Sequence, residues 1–235
     1  MGSAVTPTGS PMSLKAQLDA CRHAFEASTP PSVVAALGGS IAEVAQTGLV
    51  RLAVKAGETS PLFRLRSRNG GFLSLSEVLD RGPAVLSFFR GAWCPFCNLE
   101  MRALAQAQSE IERLGATLVG LSPFPGSGSR SSFSVLRDPG CRIAARYRIA
   151  FTVPPQFRSA NLALGYPDRL KKSADRWVLP LPATYIIDRN GLVMLSYVDA
   201  DHTTRLEPAE IIAALTHLRA RAIQADCSIP DRNNR

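Results

Sequence analysis

The chain has 235 residues, 46% of them hydrophobic and 20% charged, which fits one large domain or an ordinary domain with an extension. No apolar run approaches the roughly 18 residues needed to cross a bilayer, so we expect no contact with a membrane. The formal net charge is +8, but the arginines are scattered and no nucleic-acid-binding motif accompanies them, so we expect no nucleic-acid partner. The first residues lack a basic start followed by an apolar block, which predicts a cytoplasmic protein.

The N-terminal part of the chain predicts a tail followed by a helical extension. Residues 1–12 are small, polar and rich in Pro and Gly, as in disordered segments. Residues 13–48 form the extension, because Leu14, Leu18 and Cys21 recur on one helical face. A second helical stretch follows the break at "TPP".

The main domain is expected over residues 52–222, with a polar tail at 223–235. "PLFRLRSRNGGFLSLSEVL" predicts a hairpin that turns at residues 69–71, followed by a short helix with Ser74 as its N-cap. "PAVLSFF", an amphipathic helix to about Leu114, and "ATLVGLS" follow in that order. They predict a βαβ unit, in which the two strands are parallel and buried.

The second half of the domain predicts an insertion, a hairpin and a last helix. Residues 151–180 are rich in Pro and predict a long irregular insertion with a basic patch at 169–172. "ATYIID" and "LVMLSYV" flank an Asn-Gly turn and predict a hairpin. An amphipathic helix then closes the domain. The predicted class is α/β, with a mixed central sheet flanked by helices.

The stretch "FFRGAWCPFCN" places Cys94 and Cys97 where the first buried strand gives way to its helix. Pro95 suits the first helical position, and the unpaired N–H groups and positive dipole of that first turn favour a thiolate. A lowered thiol pKa raises reactivity at neutral pH. Trp93 would shield one side of the pair and offer an apolar platform to a partner.

Three uses of this cysteine pair compete: redox chemistry, metal binding and simple packing. A closed metal site needs two more ligands, but there is no second Cys-x-x-Cys, and the three histidines are far apart in sequence. One of them, His202, is expected on a surface loop. Simple packing is disfavoured, because a helix N-terminus activates thiols. We therefore expect a redox pair without a metal or another cofactor.

The segments "FFRGAWCPFC" and "LPATYIIDRNG", together with the βαβ order, resemble the thioredoxin-fold suprafamily. More closely, the chain is similar to the peroxiredoxin-like proteins of the alkyl hydroperoxide reductase and thiol-specific antioxidant group (AhpC/TSA). "GETSPLFRL" and "VLRDPG" resemble two further motifs of that group. The resemblance covers about residues 52–222 and implies a thioredoxin-like fold and antioxidant oxidoreductase activity.

Carried over by position, the resemblance places the peroxidatic cysteine at Cys97 and puts Cys94 where the group has a hydroxyl residue. Pro182 matches the cis-proline that faces the cysteine pair in thioredoxin-like proteins. It also stands where peroxiredoxins have an arginine, and Arg90 is a candidate to supply positive charge instead.

The resemblance implies reduction of hydroperoxides by the Cys94/Cys97 pair, with regeneration by thioredoxin or a similar dithiol. In one order of events Cys97 attacks the peroxide and Cys94 resolves the sulfenic acid. In the other, Cys94 attacks first, which suits a thiol-disulfide oxidoreductase acting on protein disulfides. A non-catalytic interaction module or a metal-carrying module on the same fold ranks lower. A homodimer built on the helical extension stays open.

Overall fold

The computed structural model describes residues 12–68, 70–126, 132–165 and 177–227. The predicted tail (apart from Met12), Asn69 of the hairpin turn and the basic patch at 169–172 lie outside these residues. No helix in the described part of the chain is long and apolar enough to span a membrane.

The helices of the described residues are α1 (Leu14–Ser28), α2 (Pro31–Gln46), α3 (Leu49–Leu52), α4 (Leu75–Leu79), α5 (Pro95–Arg113), α6 (Arg142–Arg146), α7 (Pro155–Ala163) and α8 (Pro208–Cys227). The strands are β1 (Arg64–Ser67), β2 (Phe72–Ser74), β3 (Ala84–Phe88), β4 (Thr117–Ser122), β5 (Ser134–Arg137), β6 (Ala150–Thr152), β7 (Val178–Pro180), β8 (Ala183–Ile187) and β9 (Val193–Val198).

A mixed seven-stranded sheet organises the fold, in the order β2-β1-β5-β4-β3-β8-β9. Strand β3 pairs in parallel with β4 and antiparallel with β8, and every residue of β3 is buried. Helix α5 connects β3 to β4, so the predicted βαβ unit is confirmed. The β1–β2 and β8–β9 hairpins also form as predicted. The thioredoxin-like α/β fold expected from the sequence is therefore confirmed.

The N-terminal helices pack on the helical layer beside the cysteine pair. Leu14 and Leu18 of α1 are buried in the same apolar cluster as Cys94 and Cys97. In α2, Leu37 is buried with Phe157 of α7 in a second cluster. Burial of this apolar face holds the extension against the main sheet.

Two boundaries differ from the sequence predictions. The predicted irregular insertion at 151–180 contains α7 and the short β6–β7 sheet. Helix α7 forms because Pro155 suits the first helical position and the buried side chains are spaced by three and four residues. At the other end, α8 continues to Cys227, past the predicted start of the polar tail at 223.

Candidate active site

The cysteine pair lies at the point where β3 ends and α5 begins. Cys94 is the N-cap of α5 and Pro95 its first helical residue, as the sequence predicts. Cys94 is 2% exposed and Cys97 is fully buried, and both are free thiols. The Cys94 N–H donates to the Gly91 carbonyl at 3.1 Å, which fixes the turn into the helix.

The environment divides the two thiols into a thiolate and a thiol. Burial by itself raises the pKa of Cys94, but a hydrogen bond from Cys97 and the positive charges of Arg90 and Arg205 bring it down to about 6. The pKa of Cys97 lies well above its ordinary value. Burial raises it most, and the hydrogen bond to Cys94 and the negative charge on the Cys94 sulfur raise it further. At neutral pH the pair therefore carries one negative charge and one proton between its two sulfurs, with the charge favoured on Cys94.

A buried ion pair lies behind Cys97. Arg205 donates from Nη2 to the Cys97 sulfur at 3.1 Å, and its Nε donates to the Glu100 carboxylate. Glu100 also accepts a hydrogen bond of 2.8 Å from Ser87. Burial alone would lower the pKa of Arg205, but Glu100 and the two cysteines raise it, so the guanidinium stays charged. The network therefore holds a permanent positive charge against the Cys97 sulfur.

A cavity of about 240 Å³ opens beside Cys94. Cys94 contributes to its wall, whereas Cys97 does not. Arg90 is 2% exposed, and its guanidinium lies over two aromatic rings. The Arg90 Cζ atom is 4.9 Å from the centroid of the Trp93 ring and 4.7 Å from that of the Phe157 ring. The cavity thus joins a nucleophilic sulfur, a buried cation and apolar walls.

Of the residues named from the sequence, the structure places Arg90, Trp93 and Pro95 in the wall of this cavity together with Cys94. Pro182 is also nearby, on a small adjoining cavity that Arg90 lines as well. No peptide bond among the described residues is cis, so the prediction of a cis-proline at Pro182 is wrong. The peptide bond between Leu181 and Pro182 is trans, the ordinary form. Just before it, the Leu181 N–H donates to the Ile149 carbonyl at 2.8 Å, and β8 begins directly after Pro182.

His202 lies on a loop, as predicted, but its side chain is half-buried and lines the cavity. Its ring lies edge-on to Phe96 and Phe157, with centroid separations of 5.9 Å and 5.7 Å. Burial lowers the pKa of His202 well below its usual value, and the nearby arginines lower it further. His202 is therefore neutral at physiological pH.

Sequence reasoning also missed Glu100 and Arg205. Glu100 carries a usable signal, because it is a charged residue on the buried stripe of α5 that includes Cys97 and Leu104. The sequence gives no comparable signal for Arg205, since 108 residues separate it from the Cys97 sulfur that it contacts. Arg205, on the loop between β9 and α8, provides a positive charge at the Cys97 sulfur, and Arg90, the candidate named from the sequence, provides one beside Cys94.

Metal ligands do not gather at the pair. In the described ranges, no group of three or more His, Cys, Asp or Glu side chains is placed to hold a metal ion.

The charge on Cys94 predicts a specific pH dependence of alkylation. The thiolate is the reactive form, so the rate of Cys94 modification by iodoacetamide should rise with pH through a midpoint near 6 and then level off. Peptide mass spectrometry after timed quenching would assign the rate to Cys94. The Arg90→Met variant keeps the bulk but removes one positive charge, so its midpoint should move upward. A wild-type midpoint near 8.5, the value of an unperturbed thiol, would contradict the assigned charge.

Several solved structures share this fold. Peroxidoxin BcpB from Mycobacterium tuberculosis matches with a TM-score of 0.53 and 23% sequence identity, over 71% of this chain and 97% of that chain. The reduced 2-Cys peroxiredoxin of Plasmodium vivax matches with a TM-score of 0.55 and 17% identity, over 77% of this chain and 90% of that chain. At these identities the likeness concerns the fold.

Relatives by sequence include plant peroxiredoxin Q proteins. The chloroplastic peroxiredoxin Q of Triticum aestivum is 26% identical over 199 residues, which cover 82% of this chain and 84% of the relative. The chloroplastic peroxiredoxin Q of Sedum lineare is 28% identical over 145 residues, which cover 61% of this chain and 69% of the relative. Because these relatives are chloroplastic, they contradict the cytoplasmic location expected from the sequence, and that expectation is withdrawn.

The model of the AhpC/TSA family matches residues 56–196, which span β1 to β8 and most of β9. This segment contains the cysteine pair and covers more than half of the chain. The chain therefore belongs to the AhpC/TSA family, as a peroxiredoxin-like thiol-dependent peroxidase.

Proposed function

We propose that Cys94 is the thiolate that attacks the hydroperoxide and that Cys97 is the thiol that resolves the product. The observation that carries this proposal is access: Cys94 lines the cavity, whereas Cys97 is fully buried behind it. The pKa of Cys94, about 6, supports the same order, because this sulfur is ionised at neutral pH.

In the first step the Cys94 thiolate attacks the terminal oxygen of the hydroperoxide. The S–O bond forms as the O–O bond breaks, and Cys94 becomes a sulfenic acid. The departing alkoxide takes a proton from solvent and leaves as the alcohol. Arg90 faces the cavity at this point, and its positive charge stabilises the negative charge that moves onto the leaving oxygen.

In the second step Cys97 attacks the Cys94 sulfur and displaces hydroxide, which takes up the Cys97 proton and leaves as water. The product is a disulfide between N-cap and third helical position, within one turn of α5. The Cys97 thiol must lose its proton here, and the Arg205 guanidinium at 3.1 Å stabilises the thiolate that develops. An external dithiol of the thioredoxin type then reduces the disulfide and restores the pair.

The resemblance to peroxiredoxins suggests the reverse order, with Cys97 attacking, and the contact from Arg205 to Cys97 fits that order too. The position of the cavity favours Cys94, since a peroxide in it meets Cys94 first. Thiol-disulfide exchange with protein substrates is the second candidate, and it rests on the Cys-x-x-Cys at a helix N-terminus. A sulfur that is 2% exposed is poorly placed to attack a folded protein.

Two assays on the full-length chain test the proposed function. Equimolar peroxide should convert the reduced protein to a form with a Cys94–Cys97 disulfide, seen by peptide mass spectrometry. A thioredoxin and thioredoxin reductase system should then support continuous NADPH oxidation with peroxide, while insulin reduction should stay near the rate without the protein. Insulin reduction without peroxide turnover would reject the peroxidase in favour of the second candidate.

A further inference from the structure

Helices α1 and α2 precede the segment that matches the AhpC/TSA family, yet they form one side of the cavity at Cys94. Helix α1 contributes residues 22, 25 and 26. Helix α2 contributes residues 34, 37, 38 and 41, which are spaced by three and four and so share one helical face. The cavity is therefore completed by a part of the chain outside the family core.

This wall is fixed in place by contacts of its own. Leu37 of α2 is buried against α7, in a cluster that includes Phe157. Helix α1 is tied to the domain by its buried Leu14 and by the Lys15 N–H, which donates to the Glu207 carboxylate at 2.5 Å. A wall held in this way presents a pre-formed surface to a ligand.

The size and lining of the cavity exceed what hydrogen peroxide requires. An apolar cavity of about 150 Å³ accommodates benzene, and the cavity here measures about 240 Å³. Val34, Leu37 and Ile41 line it from α2, and Phe157 and Leu164 line it from the α7 side. An apolar body would displace water from these walls, which is favourable, whereas hydrogen peroxide would leave them wet.

We propose that α1 and α2 are a specificity element, which selects hydroperoxides that carry a bulky apolar body of aryl or branched alkyl type. The body lies between α2 and α7, and the peroxide group reaches Cys94. This inference rests on the proposed function, because it takes Cys94 as the reacting sulfur.

Two neighbouring glycines of α2 provide a matched test. A Cβ atom built at Gly38 or at Gly39 meets no atom within 4 Å apart from its chain neighbours and the backbone of its own helix, so both positions accept a side chain. Gly38 lines the cavity and Gly39 does not. Gly38→Leu and Gly39→Leu raise helix propensity equally, so only the filling of the cavity separates them.

For turnover with a thioredoxin system, we expect Gly38→Leu to lower kcat/KM for cumene hydroperoxide by about tenfold or more, the scale expected for overfilling a packed site. The loss of kcat/KM for hydrogen peroxide in Gly38→Leu should be much smaller, so the ratio of the two kcat/KM values should fall, whereas Gly39→Leu, which lies outside the cavity, should resemble wild type with both peroxides. The inference is overturned if Gly38→Leu loses kcat/KM equally with both peroxides. It is also overturned if Gly38→Leu and Gly39→Leu have the same kcat/KM for cumene hydroperoxide.

Binding of 2-phenyl-2-propanol, the unreactive alcohol of the same shape, separates this inference from the proposed function. Titration followed by NMR should show binding to wild type and to Gly39→Leu, and weaker binding to Gly38→Leu. If this pattern appears without peroxide turnover, the proposed function fails, and only the binding of an apolar body between α2 and α7 is retained. If the wild type does not bind the alcohol, the specificity element is rejected whatever the turnover.

Discussion

Replacing Cys94 by Ser should lower peroxide turnover by about 10⁴-fold or more, the scale seen when a catalytic nucleophile is removed. In the proposed order Cys94 is the sulfur that meets the peroxide, and no other thiol lines the cavity among the described residues. Cys97→Ser should behave differently. In Cys97→Ser, Cys94 should still react with one equivalent of peroxide, and the sulfenic acid on Cys94 should persist because the resolving thiol is gone.

Dimedone trapping followed by peptide mass spectrometry distinguishes the two variants. The adduct should appear on Cys94 in Cys97→Ser, and no adduct should appear on Cys97 in Cys94→Ser. Cys21→Ser is a suitable control, because Cys21 lies on α1, is half-buried and has a pKa that burial raises. If the adduct forms on Cys97 in Cys94→Ser at the wild-type rate, the order of the two thiols is the reverse of the proposed one.

Replacing Arg205 by Met should lower the free energy of unfolding by about 3–5 kcal/mol, because it leaves the Glu100 carboxylate buried without its partner. The side chains of Arg205 and Glu100 are 1% and 2% exposed, so water cannot replace the lost interaction. Typical domains have only about 5–15 kcal/mol to lose. Urea denaturation of the reduced protein at pH 7 would measure the loss.

The loss should depend on pH. Burial raises the pKa of Glu100, and removing Arg205 raises it further, since the arginine charge opposes that rise. A carboxyl group with a raised pKa in the folded state destabilises the fold as pH rises through that pKa. The deficit of Arg205→Met should therefore be smallest in acid and grow towards neutral pH.

Two controls accompany this variant. Adding Glu100→Gln keeps an acceptor for Ser87 but removes the buried charge, so the double variant should be more stable than Arg205→Met alone. Arg113→Met breaks an exposed pair with Glu110 and should cost at most about 1 kcal/mol. If Arg205→Met is no less stable than Arg113→Met, the buried pair has no structural role.

Local patterns predicted the framework of this site. A continuous apolar run followed by Cys-Pro-x-Cys and an amphipathic stretch predicts a buried strand, a turn and a helix that starts at Pro95, because each element is encoded by neighbouring residues. The capping box that starts α4 at Ser74 was readable for the same reason. The reactive position of the cysteines at a helix N-terminus follows directly from these elements.

The partners of the cysteines could not be predicted in this way. Arg205 and His202 reach the site through the path of the chain after β9, and no local periodicity encodes that path. The resemblance to the family pointed to Arg90 as a source of positive charge, and Arg90 does lie beside Cys94, but nothing in the sequence pointed to Arg205. Helix α7 was obscured by the prolines before it, which prevent a helix upstream but suit its first turn.

The near-complete burial of Cys94 has a kinetic consequence. A hydroperoxide can diffuse to this sulfur through the cavity, but a folded reductant needs to bring its own thiol against the disulfide. The contacts that hold α1 and α2 over the cavity suit the oxidative half of the cycle, whereas in the reductive half the docking reductant has to break some of them. We expect the opening of these helices, rather than bond exchange at sulfur, to set the maximal rate when peroxide is abundant.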